Sequence, residues 1–160
     1  MKKIYDDFLE FFIIEEIVSP ECFSKYKKHG DYFFLSRFDP RLLETMLVIR
    51  TTLKRSITVN DWIWGGRFDE RGLRDTSTPM VKNRAIKSDP WLSAHVLGKA
   101  FDFDVKGMTA KEVREWLVNN QEILPHRIRL ENLMKGNPIS WVHLDVCDDP
   151  KNPKVYLFNI

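Results

Sequence analysis

Two hydrophobic spacings run along this chain, and the change from one to the other predicts its elements. In the first third the spacing is helical. Ile4, Phe8, Phe11, Phe12 and Val18 recur with acidic residues between them, which predicts one helix over 4–18. "SPECF" then reads as a turn in which Pro20 ends that helix. Leu42, Met46, Ile49 and Leu53 form a second apolar stripe. It predicts a helix over 40–54, with Asp39 as N-cap and Pro40 at the first helical position.

The period then shortens to two. Over 100–105, Ala100, Asp102 and Asp104 face one way, and Phe101, Phe103 and Val105 the other. Further strands are predicted at 56–61 ("SITVND"), 127–131, 140–146 and 154–158. Thr109, followed by Glu112, has the form of a capping box. It opens a helix to about residue 120 that buries Val113, Trp116 and Leu117. Residues 62–92 show little periodicity, and so long an irregular stretch is a candidate for function. Trp62, Trp64 and Trp91 within it are expected at a groove floor or lid. The predicted class is α+β, a small antiparallel sheet with helices packed on one side, in one domain over 1–160.

Composition narrows the function classes. With 43% hydrophobic and 30% charged residues, the chain is ordinary for a globular protein. A net charge of +2, spread without a basic stripe, argues against nucleic acid as a partner. Cys22 and Cys147 form no CxxC pair and are expected as free thiols. Acids at Asp6, Asp7, Glu10, Glu15 and Glu16 interrupt the N-terminal apolar run, so no signal peptide is expected there. No segment approaches membrane-spanning length, and synthesis in the cytoplasm with no membrane partner is expected.

The candidate chemistry lies on the polar faces of two strands. His29, in "KKHGD", and His126, after Pro125, read as surface residues. His143, in "SWVHLDV", shares a face with Trp141 and Asp145, while Val142 and Leu144 point into the apolar layer. His95 precedes the strand on which Asp102 points away from the phenylalanines. Two imidazoles and one carboxylate suit zinc and leave its fourth position for water. A hydrogen-bonded strand histidine would look the same at this level.

"SAHVLGKAFDFDV" resembles the S-x-H-x-x-G-x-A-x-D motif of the zinc D-Ala-D-Ala carboxypeptidase and murein endopeptidase family, which includes phage endolysins that cut L-alanyl-D-glutamate links. Ser93, His95, Gly98, Ala100 and Asp102 match it position by position, and "SWVHLDV" resembles the family's W-x-H motif. The resemblance spans about 19–146 and implies a fold like the hedgehog signalling domain. It implies that His95, Asp102 and His143 hold Zn2+, and that Arg74, in "GLRD", binds a substrate carboxylate or stabilises charge on the attacked carbonyl. It implies that Ser93 shapes the loop, and that Gly98 and Ala100 let the backbone turn beside the metal.

One position departs from the family. Ser140 stands three residues before His143, where many members carry the acid that acts as general base. Glu131, in "RIRLEN", is the preferred substitute, and Asp145 is the alternative acid or an orienting partner of His143. The implied function is hydrolysis of amide bonds in peptidoglycan stem peptides by a monomer of phage or prophage origin. Such a protein would reach the wall at lysis or on particle release, although a cytoplasmic recycling peptidase fits equally. The alternative is a relative that binds zinc and a wall peptide or a protein partner without turnover.

Overall fold

The computed structural model describes residues 2–87, 93–147, 151 and 153–160. Helices α1 (Lys2–Leu9), α2 (Ile14–Ile17), α3 (Pro20–Tyr26), α4 (Asp31–Leu35) and α5 (Pro40–Leu53) come first. Strand β1 (Ile57–Thr58) and helix α6 (Pro79–Ile86) follow. Then come β2 (Ala100–Val105), α7 (Ala110–Asn119), β3 (Ile128–Met134), β4 (Asn137–Pro138), β5 (Val142–Asp145) and β6 (Val155–Asn159). The class is α+β, as expected. No helix among the described residues is long and apolar enough to cross a membrane.

The N-terminal prediction needs correction. The expected helix over 4–18 is two helices with an extended break at Ile13, whose backbone lies at φ −96°, ψ 159°. Phe8 and Ile17 are both buried, yet nine residues is about two and a half turns at ~3.6 residues per turn. One continuous helix would point them to opposite sides. The break turns both inward, with Phe12 stacked on Phe8 at 4.5 Å between ring centroids. Pro20 starts a helix rather than ending one. Ser19 Oγ accepts from the Cys22 N–H at 3.2 Å, and Pro20 fills the first turn, where its missing N–H costs nothing. Asp39 and Pro40 do the same for α5, as predicted.

The sheet runs in the order β1-β2-β5-β3-β4, with β6 on the far side of β3. All pairs are antiparallel except β3–β6, so the predicted antiparallel sheet carries one parallel edge. Of "SITVND" only Ile57–Thr58 pairs as strand. The rest turns away because Asn60 is used as a tie: its Nδ2 donates to Val18 O at 3.0 Å and its Oδ1 accepts from Arg71 N at 2.9 Å.

Alternation on β2 and β5 separates core from chemistry. Phe101, Phe103, Val142 and Leu144 are fully buried in one cluster with residues of α1, α5 and α7. Each buried side chain of this size contributes about 1.5–3 kcal/mol. The capping box of α7 forms as predicted; Val113 and Leu117 are buried, while Trp116 is only partly so. Arg114, also on α7, is buried and donates to the carbonyls of Ile139 and Trp141 at 3.3 and 3.1 Å, which pins the helix to the chain leading into β5. Helix α6 buries none of its residues and borders the opposite, polar face.

Gly98 holds the turn that feeds β2. It lies at φ +65°, and a Cβ there would meet Arg37 O at 2.0 Å. The close approach is thus to the backbone ahead of α5 rather than to the polar face, and Gly98 O accepts from Asp39 N at 2.9 Å. Gly98→Ala is expected to cost at least about 1–3 kcal/mol from the backbone conformation alone. Urea unfolding measures this, and an unchanged midpoint would contradict the close approach.

Candidate metal centre

The site is built from the strand register. Asp102 on β2 lies directly opposite His143 on β5. β5 in turn pairs with β3, Arg129 opposite Asp145 and Leu130 opposite Leu144. Continued by one residue, that register brings Glu131 level with His143, and β6 places Phe158 opposite Glu131. Asp102, His143, Glu131 and Phe158 therefore form one row across four strands, and all four line the same cavity of about 810 Å³. The next row on the same face carries Asp145 and Arg129.

His95 reaches this row from the turn before β2. Ser93 Oγ accepts from the His95 N–H at 3.2 Å, so Ser93 shapes the loop as expected. The His95 ring is turned by a backbone group that sequence reasoning missed: Nδ1 lies 3.0 Å from Gly72 O, which can only accept. Nε2 is left with its lone pair facing inward. Gly72 is held close to the end of α2, where a Cβ would sit 2.0 Å from Ile17 O. The only advance signal was a glycine within "GLRD".

Three donor groups converge. His143 Nδ1 lies 2.7 Å from Asp102 Oδ1, His95 Nε2 lies 3.3 Å from Asp102 Oδ2, and the two ring nitrogens are 3.3 Å apart. Among the described residues, His95, Asp102 and His143 form a group able to hold a metal ion, their ligand atoms all within 4.8 Å of one another. The donor set fits such an ion: each histidine presents one nitrogen inward while its other nitrogen has a fixed acceptor.

Charge follows this geometry. Burial alone would raise the Asp102 carboxyl, but the imidazoles of His95 and His143 outweigh it and hold it far below the usual range. Burial lowers His95, with Asp102 only partly offsetting it, so this ring favours the neutral form that binds metals. His143 is also penalised by burial, but hydrogen bonds to Asp102 and Asp145 prevail and raise it to about 9.

The remaining site residues divide. Arg74 is buried in the cavity wall and donates to Asp102 Oδ2 at 3.3 Å and to the Glu70 carbonyl. Glu131 is buried, lines the cavity, and its Oε1 has no hydrogen-bond partner among the described residues. Burial raises its carboxyl above the ordinary value, with His143 and Arg114 pulling the other way and Asp102 reinforcing the rise. Asp145 is fully buried beside His143. Ser140 is exposed and lines a separate depression, away from the three donors. Asp104 pairs with Arg71 at 2.6 Å rather than joining them. His29 is exposed, and His126 contacts Glu44 at the surface.

The tryptophan expectation fails where it can be judged. Trp62 packs near Phe23, Trp64 is 63% exposed, and neither lines the cavity; Trp91 lies outside the described residues. Trp141 lines it instead. The cavity wall also carries Arg84 and Lys135, together with Arg71 and Arg129, which are paired with Asp104 and Asp145. No family model, curated protein or solved structure matches the chain.

A divalent ion binding at His143 Nδ1 must displace a proton. Because that ring is raised to about 9, metal affinity is expected to climb roughly tenfold per pH unit from neutral pH and to level off above pH 9. Metal titrations at fixed ionic strength measure the slope, and a flat profile across this window would contradict the assignment.

Proposed function

We propose that the protein is a zinc peptidase that hydrolyses amide bonds in peptidoglycan stem peptides, a relative of the zinc D-Ala-D-Ala carboxypeptidase and murein endopeptidase family with a hedgehog-like fold. The observation that carries this reading is the convergence of His95, Asp102 and His143 beside a buried carboxylate, Glu131, whose Oε1 has no partner among the described residues. Two imidazoles and one carboxylate are a donor set that catalytic zinc commonly takes. When bound, the ion would supply a Lewis acid that acidifies water and polarises the amide carbonyl.

The chain's own residues would do the rest. Glu131, its carboxyl raised by burial, is placed to accept a proton at Oε1 and return it to the leaving amine. Arg74 would hold a substrate carboxylate or the developing charge on the carbonyl oxygen, its guanidinium already oriented by Glu70 O and Asp102. The basic wall suits stem peptides, which carry free carboxylates. Action at the cell wall as a phage or prophage lysin belongs to the same proposal.

A second reading, binding of zinc and a wall peptide without turnover, draws on Ser140, which offers no acid and lies away from the donors. Incubation of zinc-reconstituted protein with cell-wall fragments separates the two: hydrolysis releases new amino termini, and binding alone gives saturation without them. Failure to take up zinc overturns both. Glu131→Gln is expected to lower kcat by about 10²–10⁴-fold while zinc affinity stays near the parent value. Unchanged kcat would remove Glu131 from its role.

A further inference from the structure

Beside the three donors sits an ion pair that the chemistry above does not use. Asp145 is fully buried, and its two oxygens are engaged on every side. Oδ1 accepts from Arg129 Nε at 2.8 Å and from the Cys147 N–H at 2.9 Å. Oδ2 accepts from Arg129 Nη2 at 3.0 Å and lies 3.2 Å from His143 Nε2. A carboxylate held at four points cannot swing away from the ring. Arg129 is itself braced, its guanidinium 4.9 Å from the centre of the Phe158 ring, and that ring meets His143 edge-on at 6.0 Å between centroids.

We infer that Asp145 and Arg129 form a positioning pair that fixes His143 with its proton on Nε2, so that Nδ1 is the nitrogen offered to the metal. The inference rests on the metal-site reading and extends it to two cavity-wall residues outside the donor set. The two histidines of the site are then set in opposite senses. Gly72 O takes the Nδ1 proton of His95 and leaves Nε2 facing inward; Asp145 takes the Nε2 proton of His143 and leaves Nδ1. The acceptors also differ in charge. A carbonyl only orients its ring, whereas an ionised carboxylate also raises the basicity of the nitrogen across the ring and so strengthens it as a ligand. Arg129 keeps that carboxylate aimed through its two hydrogen bonds, and the strand register sets all three side by side, since Arg129 pairs with Asp145 two residues from His143.

The test measures zinc affinity of the full chain, of Asp145→Asn and of Arg129→Gln by competition with a chromophoric chelator. Alongside it, long-range ¹⁵N NMR reads the His143 ring in the zinc-loaded protein. Asp145→Asn is expected to weaken zinc 10–100-fold, Arg129→Gln several-fold in the same direction, and the parent ring to show a protonated Nε2 with a metal-bound Nδ1. A tightly binding parent with an Asp145→Asn variant within about twofold of it, and an unaltered ring spectrum, overturns the positioning pair and leaves the metal site standing. A parent that takes up no zinc overturns the metal site and, with it, the pair. Should Asp145→Asn fail to fold, the ring spectrum of the parent decides: a proton on Nδ1, or zinc on Nε2, overturns the inference.

Discussion

Asp102 stands opposite His143 across the β2–β5 ladder, and the site's geometry descends from that register. Because side chains alternate along a strand, a slip of one residue would turn Asp102 into the layer of Phe101 and Phe103 and replace it with a phenylalanine. The hydrophobic face therefore specifies the polar one. Burial of Phe101, Phe103, Val142 and Leu144 locks the pairing, and the pairing delivers a carboxylate and an imidazole to one point. Core stability and site geometry are set by the same contacts. A cavity mutation in this core would be expected to loosen the donor set along with the fold.

The rest of the site is positioned by loops fastened to the same sheet. The backbone of "RGLRD", 71–75, is tied to α2 through Leu73 N and Ile17 O at 2.9 Å, and to β2 through Asp102 N and Arg71 O at 2.8 Å. It supplies both the carbonyl that turns His95 and the guanidinium that reaches Asp102. A loop so tethered holds its groups without regular structure. Phe68, Arg71, Arg74, Met80 and Arg84, from a stretch that lacks periodicity in sequence, thus supply part of the cavity wall.

Much of this was legible in the sequence, and the losses have physical causes. Alternation over 100–105 marked the polar side of β2 because one face is pure hydrocarbon and aromatic. Asp39 and Pro40 marked the start of α5, yet the same signal at Ser19 and Pro20 was read as a stop, since a proline after an apolar run has both meanings. The break at Ile13 was hidden because its cause is tertiary: Phe8 and Ile17 must face one core. His95, Asp102 and His143 were found by motif and do meet. What no local pattern could show is the row itself. Glu131 joins it through β3 and Phe158 through β6, and such cross-strand neighbours are invisible until the pairing is known. Arg129 was overlooked for the same reason, and Gly72 because it acts through a backbone carbonyl brought in by a loop.

The departure at Ser140 also looks different in three dimensions. That residue lies away from the donors, while the adjacent strand offers a buried carboxylate on their side. The central claim is that one ion is held by His95 Nε2, His143 Nδ1 and Asp102, and X-ray absorption at the zinc edge of the reconstituted chain tests it most directly. One zinc per chain is expected in a four-coordinate shell, with two imidazole nitrogens at about 2.0–2.1 Å, reduced to one imidazole in His143→Ala. A sub-stoichiometric zinc content, or a shell unchanged by removal of His143, would contradict it.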